Sequence, residues 1–358
     1  MAFIEHVLKM PSYGWKNQDG QLSKPTATQL FSEFLRRINI TASRKNWLPF
    51  FSWSCTLSLA PFAILFIVMQ VQDFNVWYLL LGFVYGMILM GTHGTIWYHR
   101  YGTHRAYRFR NKFWRFITAN LVIKLVPEEL YIVSHHVHHS LSDQPGDPYN
   151  AEAGFLYCFL ADANHQPIAS DLSEKDYAKA AAMLDHTGVK ANSYQQYLKW
   201  GSIAHPARTV LSTFANWVCW IGIFYAIGGL YLTAALLTGA FIWGLGVRTF
   251  NYEGHAKGED KQVPGLDYNT KDKSINQWWP GLVAGEWHNN HHLYPASARS
   301  GFLTGQIDLA WYYIRTLKFI GGVSACHDAK KQFMKNYRKP YLEEVKRAKA
   351  RQTKAVIS

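Results

Sequence analysis

Long segments without a charged side chain divide this chain, and polar stretches rich in Lys and Arg separate them. The first two segments cover 49–72 and 76–98, with only a short polar link containing Asp73 between them. Each is long enough for a helix to cross the roughly 30 Å hydrocarbon core of a membrane. Because the link is so short, we expect the two segments to form an antiparallel helical hairpin.

A third uncharged stretch, 209–247, is longer than one membrane-spanning helix requires. The pair Gly228 and Gly229 lies near its middle, and adjacent glycines favour a turn. We therefore predict two further spans, over about 209–228 and 230–247. The sequence thus predicts four spans in two hairpins.

Positive charges are distributed unevenly about these spans. The link at Asp73 has no Lys or Arg, whereas basic residues such as Arg44 and Arg100 precede the first span and follow the second. Since cytoplasmic loops carry the excess of Lys and Arg, both termini are expected in the cytoplasm. The shorter apolar stretch 113–126 is expected to lie at the membrane interface or against the cytoplasmic part, and 140–208 is interpreted as a cytoplasmic insertion.

The pattern therefore predicts an all-α integral membrane protein with a cytosolic helical cap. Its expected divisions are a cytosolic N-terminal segment at 1–48, a membrane domain at 49–325 and a basic C-terminal tail at 326–358. The first residues lack a basic segment followed by an apolar one, so no cleavable signal peptide is expected.

Composition agrees with a membrane protein, because 49% of the 358 residues are hydrophobic and only 17% are charged. The net charge of +13 fits a basic cytoplasmic face, and no nucleic-acid-binding motif accompanies it, so no nucleic acid partner is expected. The four cysteines show no CxxC spacing. Cys55 and Cys219 fall in apolar segments and are expected to be core hydrophobes rather than disulfide partners or zinc ligands.

Histidines gather beside the predicted spans, on the side that carries the basic residues. Two HxxHH motifs occur, in SHHVHH at 134–139 and GEWHNNHH at 285–292, while HRYGTH at 99–104 and NYEGH at 251–255 follow the second and fourth spans. Positions i, i+3 and i+4 share one face of a helix, so the imidazoles of one motif can reach a common metal zone. The candidate ligands are His99, His104, His135, His138, His139, His255, His288, His291 and His292, with Asn251 beside them.

Nine imidazoles exceed what one ion takes, so two metal ions with four or five ligands each are expected. Imidazoles without thiolate suit iron, zinc or copper, and the set is too large for a structural zinc site. Asp143, Asp147 and Glu286 are candidate hydrogen-bond partners that orient the ligands. His136 would point away from the ligands on a helix, and for His93, inside the second span, function and packing are both open. The remaining histidines are interpreted as ordinary polar residues: His6, His165, His186, His205 and His327.

Four segments closely resemble the histidine boxes of membrane fatty acid desaturases, in the same order and spacing. They are HRYGTHRAY at 99–107, HHVHHSLSDQPGDPYN at 135–150, NYEGH at 251–255 and GEWHNNHHLYPASARSGF at 285–302. The most similar subgroup is the acyl-CoA Δ9 desaturases, and the resemblance extends over about 80–325. It implies a cytosolic cap with two iron ions, Fe2+ or Fe3+, bound by the nine histidines, with Asn251 acting through a water.

The same resemblance implies O2-dependent desaturation of a fatty acyl chain, from CH2–CH2 to a cis double bond, with the chain in a tunnel beneath the cap. The implied partners are an acyl-CoA or related acyl substrate, the lipid bilayer and a separate electron donor. Because no HPGG haem motif is present, that donor would be a ferredoxin, rubredoxin or cytochrome b5 type protein with its reductase.

The sequence departs from the family pattern beside the ligands. His136 stands where family members usually carry Arg, and both the lead AGEW and the stretch NYEGHAKG differ from the usual residues. Oxidative decarboxylation of a free fatty acid to a terminal alkene, or fatty acyl hydroxylation, is therefore an alternative on the same scaffold. A non-redox zinc hydrolase is a more distant alternative. A transporter is disfavoured because its ligands would lie inside the spans.

Overall fold

The structure is a computed structural model that describes residues 2–357. As the sequence predicts, the described chain is mainly helical, with one short pair of strands. Its helices and strands are α1 (Phe3–His6), α2 (Ala27–Ile38), α3 (Trp47–Leu57), α4 (Ala60–Gln72), α5 (Val76–Leu89), β1 (Tyr107–Phe109), α6 (Lys112–Ala119), α7 (Glu128–Leu141), α8 (Phe155–Phe159), α9 (Ala161–Asn164), α10 (Glu174–Ala182), α11 (Tyr194–Trp200), α12 (Pro206–Gly246), α13 (Phe250–Gly254), α14 (Trp278–Ala284), α15 (His288–Leu293), α16 (Leu309–Phe319), β2 (Val323–Cys326), α17 (Lys330–Phe333) and α18 (Lys339–Ile357). The π-helical segments are Met90–Thr103 and Met334–Arg338, and the 3₁₀ turns are Arg44–Asn46, Ala151–Ala153, Asp185–Thr187, Val247–Thr249 and Ala256–Gly258.

Three helical runs in the described chain are long and apolar enough to cross a membrane. They are Arg44–Gln72, Val76–Thr103 and Pro206–Gly254, with 29, 28 and 49 residues. The first two contain the predicted spans 49–72 and 76–98 and extend beyond them at their basic ends. The third run contains both of the spans predicted between residues 209 and 247.

The third run is interrupted at the glycine pair that the sequence singles out. Within α12, Gly228 and Gly229 leave the helical region, with φ/ψ of −146°/22° and 64°/−159°. The positive φ of Gly229 is readily adopted by glycine and is strained for a residue with a Cβ atom. The backbone therefore breaks where the sequence predicts a turn.

Helices α5 and α12 pack backbone to backbone through small residues. A Cβ on Gly82 would lie 2.6 Å from the carbonyl oxygen of Ala235, and a Cβ on Gly86 would lie 3.1 Å from that of Gly239. A Cβ on Gly239 would collide with the carbonyl of Gly82. Small residues spaced by four let membrane helices approach this closely. The contact fixes the second run against the third.

The polar segments pack around α7, which carries the first HxxHH motif. Val7 and Leu8 of the N-terminal segment are buried together with Ile132 and Val133 of α7. Strand β1, which follows the second run, pairs antiparallel with β2, which follows α16. The segment with the second HxxHH motif is thereby joined to the end of the second run. In the predicted C-terminal tail, 326–358, Phe333 is fully buried, so the first part of the tail packs against the rest of the protein.

The two cysteines expected in the core have different environments. Cys55 is buried, whereas Cys219 is exposed, so the expectation for Cys219 is wrong. Its neighbour Val218 is 56% exposed on the same helix. This part of α12 presents apolar side chains outward, where a bilayer rather than the protein would cover them.

We expect Gly239→Ala to lower the thermal unfolding midpoint of the detergent-solubilised protein. The added Cβ would push α12 away from α5, a loss of about 1–3 kcal/mol for overpacking, despite the better helix propensity of Ala. Gly222→Ala is the matched control, since a Cβ there meets no atom within 4 Å. Equal midpoints for the two variants would contradict a tight backbone contact.

Candidate metal centre

The nine predicted histidines come from four separated segments and form two clusters. The first cluster contains His99, His104, His135, His139 and His291, and the second contains His138, His255, His288 and His292. Within each cluster the ligand atoms lie within 4.8 Å of one another. His99 lies in the last turns of the second run and His104 just after it, whereas the others lie on α7, just after α13 and on α15. Sequence reasoning therefore identified all members of both clusters.

The structure divides each HxxHH motif between the clusters. On α7, His135 and His139 belong to the first cluster and His138 to the second. On α15 the assignment is reversed, because His288 and His292 belong to the second cluster and His291 to the first. Adjacent residues on a helix point about 100° apart, so i+3 and i+4 diverge although both neighbour i. We expected the three imidazoles of one HxxHH motif to reach a common metal zone. In the structure, each motif instead contributes histidines to both clusters.

The inward nitrogens of the first cluster lie very close together. The distance from His99 Nε2 to His291 Nε2 is 2.9 Å, and His291 Nε2 is also 2.9 Å from His139 Nε2. His139 Nε2 and His135 Nε2 are 3.1 Å apart. Neighbouring ligands of one metal ion, each about 2.1 Å from it, lie about 3 Å apart at right angles. The spacing therefore fits nitrogens that share an ion.

The second cluster shows the same feature between two helical segments. His138 Nε2 lies 3.1 Å from His255 Nε2, although their Nδ1 atoms both face carboxylates. When both rings are neutral and their protons lie on the Nδ1 atoms that face the carboxylates, each Nε2 keeps its lone pair. Two lone pairs that face each other in a buried site repel unless a cation lies between them. The donor set therefore fits a metal ion.

Four buried or half-buried carboxylates accept hydrogen bonds from the outer nitrogens. Asp147 accepts from His138 at 2.9 Å, Asp143 from His255 at 3.2 Å and Glu286 from His99 at 3.0 Å. These are the three acids that the sequence singled out. Each contact fixes the orientation of a ring and directs its other nitrogen inward.

The fourth acid, Asp272, was missed by sequence reasoning. Its Oδ2 accepts from Nδ1 of His292 at 2.8 Å. Asp272 comes from the irregular loop between α13 and α14, and no spacing rule relates it to a histidine twenty residues later. Only the folded loop brings it to the second cluster.

Burial and mutual repulsion keep most of these imidazoles neutral. Removal from water, reinforced by neighbouring imidazoles, lowers the pKa of His104, His135 and His291 well below the usual value. His255 differs: burial would lower its pKa, but Asp143 raises it above the usual value. For Glu286, burial would raise the pKa, but His99 and His288 together hold it below the usual range. Neutral imidazoles are the form that binds metal. Among their carboxylate partners, Asp147 differs, because burial raises its pKa to about 8.

Asn251 lies beside the clusters with an unpaired polar atom. Its Oδ1 is buried and has no hydrogen-bond partner among residues 2–357. It borders a narrow cavity of about 50 Å³ that also touches Tyr131, Trp243 of α12 and Val247 just after that helix. Tyr131 stacks on His135 with ring centroids 5.1 Å apart. No cluster histidine lines the cavity, but it extends from Tyr131 and Asn251, beside the clusters, to Trp243 of a membrane-length helix.

The other histidines lie outside both clusters. His136 is half-buried and belongs to neither cluster, although its ring centroid lies 6.5 Å from that of His104. His93 is buried and stacks on Tyr98 with centroids 4.4 Å apart, which is a packing contact. His165, interpreted from the sequence as an ordinary polar residue, is fully buried and bonded to the carbonyl of Pro148 and the hydroxyl of Tyr13. The remaining four, in neither cluster, are His6, His186, His205 and His327.

A family model described as fatty acid desaturase matches residues 74–320, more than half of the chain. The chain belongs to the fatty acid desaturase family. All four histidine-bearing segments of the two clusters lie inside the matched region. The family assignment makes the protein an oxidoreductase of lipid metabolism, and it agrees with the resemblance seen in the histidine boxes.

Curated desaturases share moderate identity with this family member. Identity is 29% over 243 residues with an acyl-CoA C20 Delta5-desaturase of Anemone leveillei, covering 63% of this chain and 66% of the relative. It is 27% over 269 residues with an icosanoyl-CoA 5-desaturase of Limnanthes douglasii, covering 72% and 67%. It is 27% over 234 residues with an sn-1 stearoyl-lipid 9-desaturase of Anabaena variabilis, covering 63% and 75%. The chain thus spans about two thirds of the length of the first two relatives.

We expect Asp272→Asn to weaken metal retention by about ten- to a hundredfold, the usual effect of removing a partner of a ligating histidine. The amide keeps the size of the side chain but removes the charge that orients His292. The measurement is bound metal after dialysis against a graded chelator. Asp260→Asn is the control, because Asp260 is exposed and belongs to neither cluster. Equal metal retention in both variants would contradict a role for Asp272.

Proposed function

We propose that this protein is an O2-dependent diiron desaturase of fatty acyl chains. The observation that carries the proposal is the division of nine buried imidazoles into facing groups of five and four. Two bound irons would supply the activation of O2 and the removal of hydrogen from CH2 groups. The expected ligands are the nine histidines of the two clusters, with Asn251 acting through a water.

The chain's own residues prepare this centre. The four carboxylates hold a proton on the outer nitrogen of their imidazoles, which keeps the inner lone pair available. The Oδ1 atom of Asn251, which has no partner among the described residues, is suited to accept a hydrogen bond from a water beside the second cluster. Nearly complete burial of ligands such as His138 and His291 keeps bulk water from the oxidising centre.

The membrane arrangement that fits this function has four spans. A straight helix of the 41 residues of α12 would extend about 60 Å, twice the hydrocarbon thickness. We therefore propose that Gly228 and Gly229 form the turn between two spans, which pair with α3–α4 and α5. Both clusters would then lie in a cap on the side where Arg100 and Lys112 occur, which the distribution of charge assigns to the cytoplasm.

The proposed substrate is an acyl-CoA or an acyl lipid, since relatives named for both kinds of substrate match the chain. Its hydrocarbon chain would pass between Trp243 and Tyr131 toward Asn251, through the narrow cavity beside the clusters. The cavity must widen to accept a chain, so substrate binding is expected to move Trp243. Electrons would come from a separate ferredoxin, rubredoxin or cytochrome b5 type carrier.

We expect His139→Ala to abolish double-bond formation, with a loss of at least about a hundredfold, since a direct ligand should exceed the effect of its hydrogen-bond partners. His136→Ala is the control from the same helix and is expected to keep most activity and two irons per chain. The measurements are iron content and product yield for protein purified from membranes. Full activity of His139→Ala, or loss of iron from His136→Ala, would contradict the assignment.

The decisive experiment is expression with a defined reductase system, followed by mass spectrometry of lipids and headspace hydrocarbons. Desaturation predicts acyl chains of unchanged length with one new double bond. A terminal alkene one carbon shorter would identify a decarboxylase, and an acyl alcohol a hydroxylase. Purified protein with zinc in place of iron, and activity independent of O2, would overturn the proposal in favour of a hydrolase.

A further inference from the structure

A basic cavity of about 440 Å³ lies away from the metal clusters, between α6, the start of α7, the loop at 187–190 and the start of α12. This volume is in the range of ordinary ligand sites. Its charged lining consists of Lys112, Arg115, Lys124, Lys190 and Arg208, with Glu128 as the one acid. Such a wall attracts an anion.

Most of these cations lack an acidic partner. Lys124 forms an ion pair with Glu128 at 3.6 Å, and among the described residues no ion pair is formed by the other four basic residues of the lining. Four uncompensated cations around one cavity repel one another, so an anion inside it would relieve that repulsion. The charge of the lining therefore favours an anion that several basic side chains can contact at once.

Arg115 is held in position by the backbone of the facing loop. One of its Nη atoms donates to the carbonyl of His186 at 3.0 Å, and a Cβ on Gly188 would lie 2.7 Å from the other Nη. Gly188 has a φ of +88°, which glycine adopts without strain. The loop thus leaves room for the guanidinium and orients it. On the opposite wall, Thr209 and Ser212 add hydroxyl groups.

The surroundings of the cavity indicate a lipid rather than a soluble anion. On α6, Phe113 and Phe116 are 60% and 65% exposed, beside the basic residues of the same short helix. On α12, Leu211 and Phe214 are 67% and 64% exposed just beyond the cavity. Such a helix lies in the membrane interface, and apolar outer surface continues from the cavity along a membrane-length helix. Acyl chains could cover that surface while a headgroup occupies the cavity.

We infer that this cavity binds the phosphate headgroup of an anionic phospholipid, whose acyl chains lie against Leu211 and Phe214. The site does not depend on the proposed desaturation, because none of its lining residues is a member of either metal cluster. Binding would join α6 and the loop at 187–190 to the start of α12.

The test is thermal unfolding of the full chain in neutral detergent, titrated with phosphatidylglycerol, phosphatidylcholine, inorganic phosphate or coenzyme A. Phosphatidylglycerol is expected to raise the unfolding midpoint, and phosphatidylcholine to have little effect. In Lys190→Gln/Arg208→Gln the half-saturating amount of phosphatidylglycerol should rise about tenfold or more. Both residues are exposed, so folding should be preserved.

Lys346→Gln/Arg347→Gln is the matched control, since it removes the same charge from exposed positions on α18. An equal loss of phosphatidylglycerol binding in both double variants would overturn the site in favour of general attraction to basic surface. Stabilisation by inorganic phosphate or coenzyme A, without stabilisation by phosphatidylglycerol, would overturn the lipid as occupant. No response to any anion would overturn the site itself.

Discussion

The close approach of buried imidazole nitrogens is the constraint on which the arrangement of the histidine-bearing segments depends. The Nε2 atoms of His138 and His255 lie 3.1 Å apart inside a buried site, and the outer nitrogens of both rings are already bonded to carboxylates. Protein packing alone gives no reason for such an arrangement. The loop that carries Asp272 orients the neighbouring ring of His292 by a similar contact.

The membrane-length helices fix the positions at which the histidine-bearing segments begin. The backbone contact of Gly82 and Gly86 with α12 sets the second and third runs at one separation. The π-helical end of the second run then delivers His99, while the segment after α12 delivers His255. The pairing of β1 with β2 joins the same end of the second run to the region that follows α15. Histidines far apart in the sequence thus meet because the helical runs beside them are held at a fixed separation.

Which histidines gather in the two clusters could be predicted from the sequence, because HxxHH spacing on a helix and the positions beside apolar segments are local properties. Their division into two clusters could not, since it depends on how α7 and α15 face each other. The contact of Asp272 with His292 could not be predicted either, because the loop that carries Asp272 has no periodic sequence pattern. The break at Gly228 and Gly229 was predictable from backbone freedom, whereas the outward position of Cys219 required knowledge of which face of α12 meets other helices.

The exchange of histidines between α7 and α15 has a consequence for metal loading under the proposed function. Each helix contributes to both clusters. An ion in the first cluster would therefore restrict the rotation of α7 and α15 and so limit the motion of His138, His288 and His292. Less conformational entropy would then be lost when the second ion binds, so the binding of the two ions would be cooperative. A chain with one ion would consequently be rare at equilibrium.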